Sequence, residues 1–94
     1  MLSNIHPKYI LKVQPKEGTL FNPLHNEIDG LVATIIDLNV GERGLFVVNV
    51  DNGWQQDWVK ISTSTVLDVT VNDNGNVILT TRNTIYTFNK IIEM

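Results

Sequence analysis

The sequence predicts an all-β domain, a small antiparallel meander that closes into an SH3-like or similar barrel. Hydrophobic residues alternate with a period of two from Leu31 to Asn89, which is typical of strands rather than helices. Short turn-forming segments interrupt this pattern. The chain has 94 residues and no cysteine, so one modest core must be held together by packing alone. We therefore expect a single domain over residues 1–94, with barrel closure protecting the strand edges.

The first thirty residues are predicted to form a mostly irregular N-terminal arm, residues 1–30, that packs on the barrel. Within it, "YILKVQ" has the alternation of an additional strand. Asn22 before Pro23 fits a helix start, and Asp29-Gly30 fits a helix stop. We expect at most one short helix, within residues 22–29.

The meander itself is predicted over residues 31–94. "LVATIIDLN" is apolar on both faces and indicates a strand that is covered on both sides. A loop, "VGERG", leads into a returning strand, "LFVVNV". Asn52-Gly53 supplies the positive φ angles of a tight primed hairpin turn, and the next strand is expected from Trp54 to Ile61.

The second half continues the same pattern. Four hydroxyl residues, "STST" at 62–65, favour a corner between two strands. "VLDVTV" and "VILTT" flank "NDNGN", which predicts a hairpin, and Arg82-Asn83 makes a further tight connection to "TIYTFN". Six strands are thus expected from residue 31 onward.

Trp54 and Trp58 are four residues apart and therefore share one face of the chain. In a strand they point outward, while Val59 and Ile61 face the core. Tryptophan is enriched in interface hot spots, although the N-terminal arm or a barrel end could instead cover both rings. We expect a buried Trp58 and a partly exposed Trp54. The candidate partner-binding residues are Trp54, Gln56, Trp58, Lys60 and Arg43.

Residues that could carry catalysis or bind a metal are scattered. His6 and His25 lack carboxylates or thiols at ligand spacing, and the hydroxyls at 62–65 have no adjacent base. "NDNGN" lacks the glutamate that closes a calcium loop, and "GERG" is too short to cradle a phosphate. We therefore expect no enzyme activity, no metal site and no cofactor.

The distribution of charge limits which classes of partner are expected. The net charge is −3 and the seven cations are scattered along the sequence, which argues against nucleic acid as the partner. The sequence has neither a run of about 18 apolar residues nor a signal peptide, so we expect a cytoplasmic protein without a membrane partner. Self-association is left open.

"ISTSTVLDV" followed by "GNVILTTRNTIYTF" resembles a pattern in small uncharacterised proteins of bacteriophages and mobile elements. The pattern is a Thr-Ser-x-Val corner, a hairpin, and then Thr-x-Asn-Thr/Ser-x-Tyr. The matching positions are Thr63, Ser64, Val66, Thr81, Asn83, Thr84 and Tyr86. The resemblance covers about a third of the chain and implies a phage-like origin without naming an activity.

Three functions fit these observations. The first is a small non-catalytic binding protein that occupies a protein partner and modulates or inhibits a host system, such as a defence system. The second is a nucleic-acid-binding barrel that stacks bases on Trp54, Trp58 and Tyr86. The third is a structural subunit of a viral assembly, in which strand edges pair between copies.

Overall fold

The computed structural model describes residues 8–18, 23–51, 53 and 56–91, and it shows an all-β domain with one short helix. Six antiparallel strands follow one another in chain order around a closed barrel, which confirms the predicted meander and its closure. The elements are β1 (Tyr9–Pro15), α1 (Pro23–Ile28), β2 (Val32–Asp37), β3 (Arg43–Asp51), β4 (Gln56–Val71), β5 (Val77–Thr81) and β6 (Thr84–Lys90).

The first strand, β1, is part of the barrel wall. It pairs with β6 from Tyr9 opposite Lys90 to Pro15 opposite Thr84, and it pairs with the start of β2. Within the N-terminal arm predicted over residues 1–30, "YILKVQ" is thus the additional strand that its alternation indicated, and it belongs to the barrel wall. Its alternating burial gives it an inner face that belongs to the core, so the barrel closes through it.

The helix α1 connects β1 to β2 and lies within the predicted range. Ile28 at its end is buried in the core. Gly30 follows with a φ of 85°, a conformation that glycine adopts without steric cost, and its N–H donates to the Leu11 carbonyl at 2.7 Å. The turn after α1 is thus bonded directly to β1.

The long strand β4 runs without interruption through the four hydroxyl residues. Its first part pairs with β3 as far as Thr65, and its second part pairs with β5 from Val66 onward. The predicted break at 62–65 was wrong, because β4 is continuous there, but the register with β3 shifts between Ser62 and Thr65, and the buried Thr63 lies at this irregularity. Its Oγ1 accepts a hydrogen bond from the Gly44 N–H at 2.9 Å and donates to the Ser64 carbonyl at 2.7 Å. The two strands expected here are one strand that changes its partner.

The β4–β5 hairpin lies at "NDNGN", as predicted. The Gly75 N–H donates to the Asn72 carbonyl at 3.0 Å, and the Asn72 N–H donates to the Asn76 carbonyl at 3.0 Å. Gly75 has a φ of 84°, whereas no described non-glycine residue has a positive φ. The turn is therefore a type I turn followed by a left-handed glycine, rather than a two-residue primed turn.

The core contains a chain of aromatic rings inside the barrel. Phe46 packs edge-on against Phe88 and Tyr86, with ring centroids 5.2 Å and 5.5 Å apart. Tyr9 packs edge-on against Phe88 at 5.9 Å. Such edge-to-face contacts add specific geometry to the apolar burial. They tie β1, β3 and β6 together, so the opposite faces of these strands are held in fixed positions outside the barrel.

Candidate partner-binding surface

Trp58 lies in β4 opposite Asn49 of β3, and 46% of its surface is exposed. The prediction that Trp58 is buried was wrong. Ile61, three residues further along β4, is buried in the core. Because residues an odd number of positions apart point to opposite faces of a strand, the Trp58 side chain projects from the outer face of the barrel. The predicted outward orientation of this tryptophan is confirmed.

The inner side of the same stretch is only partly a core face. Ile61 is buried as expected, but Val59 is 42% exposed and that part of the prediction was wrong. Val59 pairs with Val48, which is also the last β3 residue that pairs with β2. β4 pairs with β5 only from Val66 onward. Among the described strands, the β3–β4 hairpin therefore extends past the closed part of the barrel.

An outward-facing row of side chains crosses four strands at Trp58. Trp58 lies opposite Asn49, the register places Asn49 beside Val32, and Val32 lies opposite Ile10. Ile10 is 40% exposed. Three inter-strand spacings separate the two ends, about 14 Å along the sheet. The row therefore joins two exposed apolar side chains across a half-buried middle.

A groove opens on this outer face. Its volume is about 380 Å³, and it is lined by Lys8, Gly30, Leu31, Val32, Asn49, Trp58 and Ile91. Ile91 is held next to β1 because its N–H donates to the Lys8 carbonyl at 3.1 Å. Trp58 thus lines the groove together with residues that flank β1, β2 and β6. We call this face, from Trp58 to Ile10 with the groove, the Trp58 surface.

Lysines border the Trp58 surface. Lys60 is exposed two residues from Trp58 on the same outer face, and it lies opposite Val47. Lys8 lines the far wall of the groove. Lys12 is exposed on the outer face of β1, two residues from Ile10. Within the described part of the chain, no ion pair is found for these three ammonium groups.

The other candidate residues have mixed positions. Trp54 lies outside the described residues. The backbone of Gln56 pairs with Asp51 at the start of β4, and its side chain is outside the described part. Arg43 is the first residue of β3, opposite Thr65, rather than at a loop tip. Thr65 and Trp58 are seven positions apart in β4, about 23 Å of extended chain, so Arg43 is not part of the Trp58 surface.

Tyr86, named above as a base-stacking residue, faces the barrel interior and is buried. Burial raises the pKa of its hydroxyl above the ordinary value of 10.0, and a hydrogen bond with the Thr84 side chain offsets part of this rise. Its ring packs edge-on against His25 of α1 at 6.2 Å. The His25 Nδ1 is buried and has no hydrogen-bond partner among the described residues. Tyr86 thus cannot stack with a nucleic-acid base in this structure.

The sequence analysis missed seven residues of the Trp58 surface: Lys8, Ile10, Gly30, Leu31, Val32, Asn49 and Ile91. They come from four segments that are distant in sequence, and only the folded barrel brings them near Trp58. The alternation in "YILKVQ" does mark Ile10 as the neighbour of two inward residues. That pattern could have identified Ile10 as an exposed apolar side chain.

Within the described residues, no group of three or more histidine, aspartate or glutamate side chains is placed to hold a metal ion. No helix of that part of the chain is long and apolar enough to span a membrane. Comparisons with protein-family models, with curated proteins and with solved structures found no match to this chain. The resemblance to phage and mobile-element proteins accordingly stays an expectation from the sequence.

Proposed function

We propose that this chain is a small, non-catalytic binding protein that docks a protein partner on the Trp58 surface. The observation that carries the proposal is Trp58 itself. It is a large apolar ring with 46% of its surface in water, on the outer face of a hydrogen-bonded strand. A tryptophan that is presented in this way loses little conformational entropy when a partner covers it.

The surroundings of Trp58 support a docking role. Hot-spot tryptophans gain affinity where they enter, or border, a depression that excludes water. The groove beside Trp58 supplies such a depression, and Ile10 supplies a second exposed apolar group on the same face. Because the sheet fixes their spacing, the surface is already formed before a partner arrives.

A protein partner fits this surface better than a nucleic acid does. Sequence-tolerant binding of single strands uses several stacking aromatic rings together with a basic groove. Of the three proposed stacking residues, Tyr86 is buried and Trp54 lies outside the described residues. Trp58 is therefore the one that the described part of the structure shows to be exposed. The net charge of −3 also opposes long-range attraction to a phosphate backbone.

The proposal that the partner belongs to a host system, such as a defence system, rests on the sequence resemblance to phage and mobile-element proteins. It names a class of partner and adds no residue to the site. The docking proposal stands independently of it.

A comparison of matched variants tests the docking proposal. The wild-type protein, Trp58→Ala and Leu67→Ala are used as baits in nuclease-treated extracts of the cells that make the protein, and bound proteins are quantified by mass spectrometry. Leu67 is the matched control because it is also in β4 and 50% exposed, but in the half that pairs with β5. We expect a partner that binds the wild type and Leu67→Ala and is depleted at least about tenfold with Trp58→Ala. Equal capture by all three baits would contradict the proposal.

A further inference from the structure

The first half of β4 has a strand on one side only. From Gln56 to Thr65 it pairs with β3, whereas β5 pairs with the other side of β4 only from Val66 onward. Near this change of partner, the Thr65 carbonyl accepts a hydrogen bond from the Arg82 N–H. Over residues 58–64, no described strand pairs with the side of β4 that faces away from β3. We call this side the open edge.

Side chains beside the open edge are exposed on both faces of β4. Residues 57–60 are all exposed, with Trp58 at 46% and Val59 at 42%. Because these two residues are adjacent, their side chains point to opposite faces of the strand. A strand that is accessible on both faces and along one edge can extend its sheet through backbone hydrogen bonds. The chemistry of the open edge therefore selects another extended strand.

A strand that adds to the open edge must have an accessible edge of its own. A second copy of the chain brings one, because its residues 58–64 present the same edge. Two copies of one strand pair in antiparallel orientation about a two-fold axis, so one residue lies opposite itself. Such a contact requires that the strand is complementary to itself in charge and packing.

Charge decides which residue lies on the axis. An axis at Asp57 or Lys60 places like charges directly opposite each other, which is destabilising. An axis at Val59 places this side chain opposite its own copy, and it places each Trp58 opposite a Lys60, a pair that gains from cation–π attraction. Asp57, which is exposed, then lies opposite Ile61. An axis at Trp58 loses the Trp58–Lys60 pairing and sets the Asp57 carboxylate beside Val59.

We infer that two copies of the chain associate through the open edge of β4, with the two strands antiparallel and Val59 on the two-fold axis. This association goes beyond the proposed docking function. The outer faces of the two copies lie on the same side of the joined sheet, so both Trp58 rings remain on an outer surface. Because the contact is small, the dimer is reversible and depends on concentration.

Because the chain has no cysteine, a single introduced thiol tests the position of the axis. Residues directly opposite each other in an antiparallel pair have Cα atoms about 4.5–5.5 Å apart, a separation that a disulfide spans. Val59→Cys should therefore convert most of the protein to a disulfide-linked dimer under mild oxidation. Val71→Cys is the matched control, because Val71 ends the same strand and is 64% exposed, but it pairs with β5. It should remain mostly unlinked on the same non-reducing gel.

Analytical ultracentrifugation of charged variants tests the same contact without a covalent link. The wild type should change from monomer to dimer between about 10 µM and about 1 mM. Val59→Lys and Val59→Asp should each stay monomeric, because each sets like charges opposite each other on the axis. An equimolar mixture of the two should form a dimer, since opposite charges then meet. Val71→Lys should dimerise as the wild type does, and circular dichroism shows whether each variant is folded.

A wild-type protein that stays monomeric up to about 1 mM would overturn the inference. A dimer that persists in Val59→Lys, a mixture of the two charged variants that stays monomeric, or equal disulfide linkage in the two cysteine variants would also overturn it. The docking function is decided separately by the bait experiment. A partner that depends on Trp58, found for a wild type that is monomeric, would reject the dimer and leave the docking surface standing. A dimer without such a partner would do the reverse.

Discussion

Trp58 and Asn49 lie directly opposite each other on the outer face of the β3–β4 ladder, and both residues line the same groove. This relationship separates Trp58 from the aromatic residues of the core, which all point into the barrel. It predicts different consequences for stability and for binding when an aromatic ring is removed.

Trp58→Ala should cost less than about 2 kcal/mol of unfolding free energy, because nearly half of the ring is already exposed to water. Phe46→Ala is the contrasting variant, since Phe46 is fully buried and should cost about 3–5 kcal/mol. Chemical denaturation of both variants measures the difference. Similar losses in the two variants would show that Trp58 is a core residue.

Gly75→Val should destabilise the domain by about 1 kcal/mol or more. Gly75 has a φ of 84°, which is costly for a β-branched residue, and a Cβ at this position would lie 3.0 Å from Lys90 Cδ. Gly75→Asn is the control, because asparagine tolerates the left-handed conformation better. Thermal melts of both variants test the turn, and an unchanged midpoint for Gly75→Val would mean that this turn does not require a positive φ.

Thr63→Val should cost about 1–3 kcal/mol, although the two side chains have nearly the same shape. The change removes the Oγ1 that accepts the buried Gly44 N–H at 2.9 Å, and it leaves this donor without a partner. Thr63→Ser keeps the acceptor and serves as the control. If the valine variant is as stable as the serine variant in urea, this hydrogen bond does not stabilise the β3–β4 junction.

These outcomes also indicate why the sequence predicted part of the fold and not the rest. The alternation of apolar residues and the turn at Asn72–Asn76 are local features, and both hairpin and strands follow from them. The position of Thr63 within β4 involves a non-local contact, since its Oγ1 accepts a hydrogen bond from the Gly44 N–H of β3. No local pattern distinguishes a hydroxyl that closes a turn from one that bonds to a neighbouring strand.

The candidate surface was predictable only in part for the same reason. The outward face shared by Trp58 and Lys60 follows from their spacing in one strand. The position of Ile10 beside that face depends on pairing between β1 and β2, and the lysine on the groove wall depends on the contact between the ends of β1 and β6. Such non-local pairings decide which side chains meet, and the sequence pattern does not show them. For this reason the sequence did not reveal that Trp58 stays exposed.

The decrease of the unfolding free energy at alkaline pH should depend on Tyr86. Burial raises the pKa of its hydroxyl in the folded state above 10.0, so the folded state retains this proton at a pH where the unfolded chain has lost it. The resulting stabilisation is complete below the unfolded pKa and is lost as pH rises through the folded pKa. Tyr86→Phe should therefore show a shallower loss of unfolding free energy above about pH 10 than the wild type. Identical slopes in urea denaturation would contradict the assignment.

The most direct test of the Trp58 surface is the accessibility of Trp58 to an aqueous quencher in the Trp54→Phe variant, in which Trp58 is the only tryptophan. The fluorescence is measured with the free protein and again after saturation with the protein captured in the bait experiment. We predict efficient quenching in the free protein and strong protection in the complex, because the partner covers the ring. A ring that is shielded in the free protein, or one that is quenched equally in both states, would contradict the proposed surface.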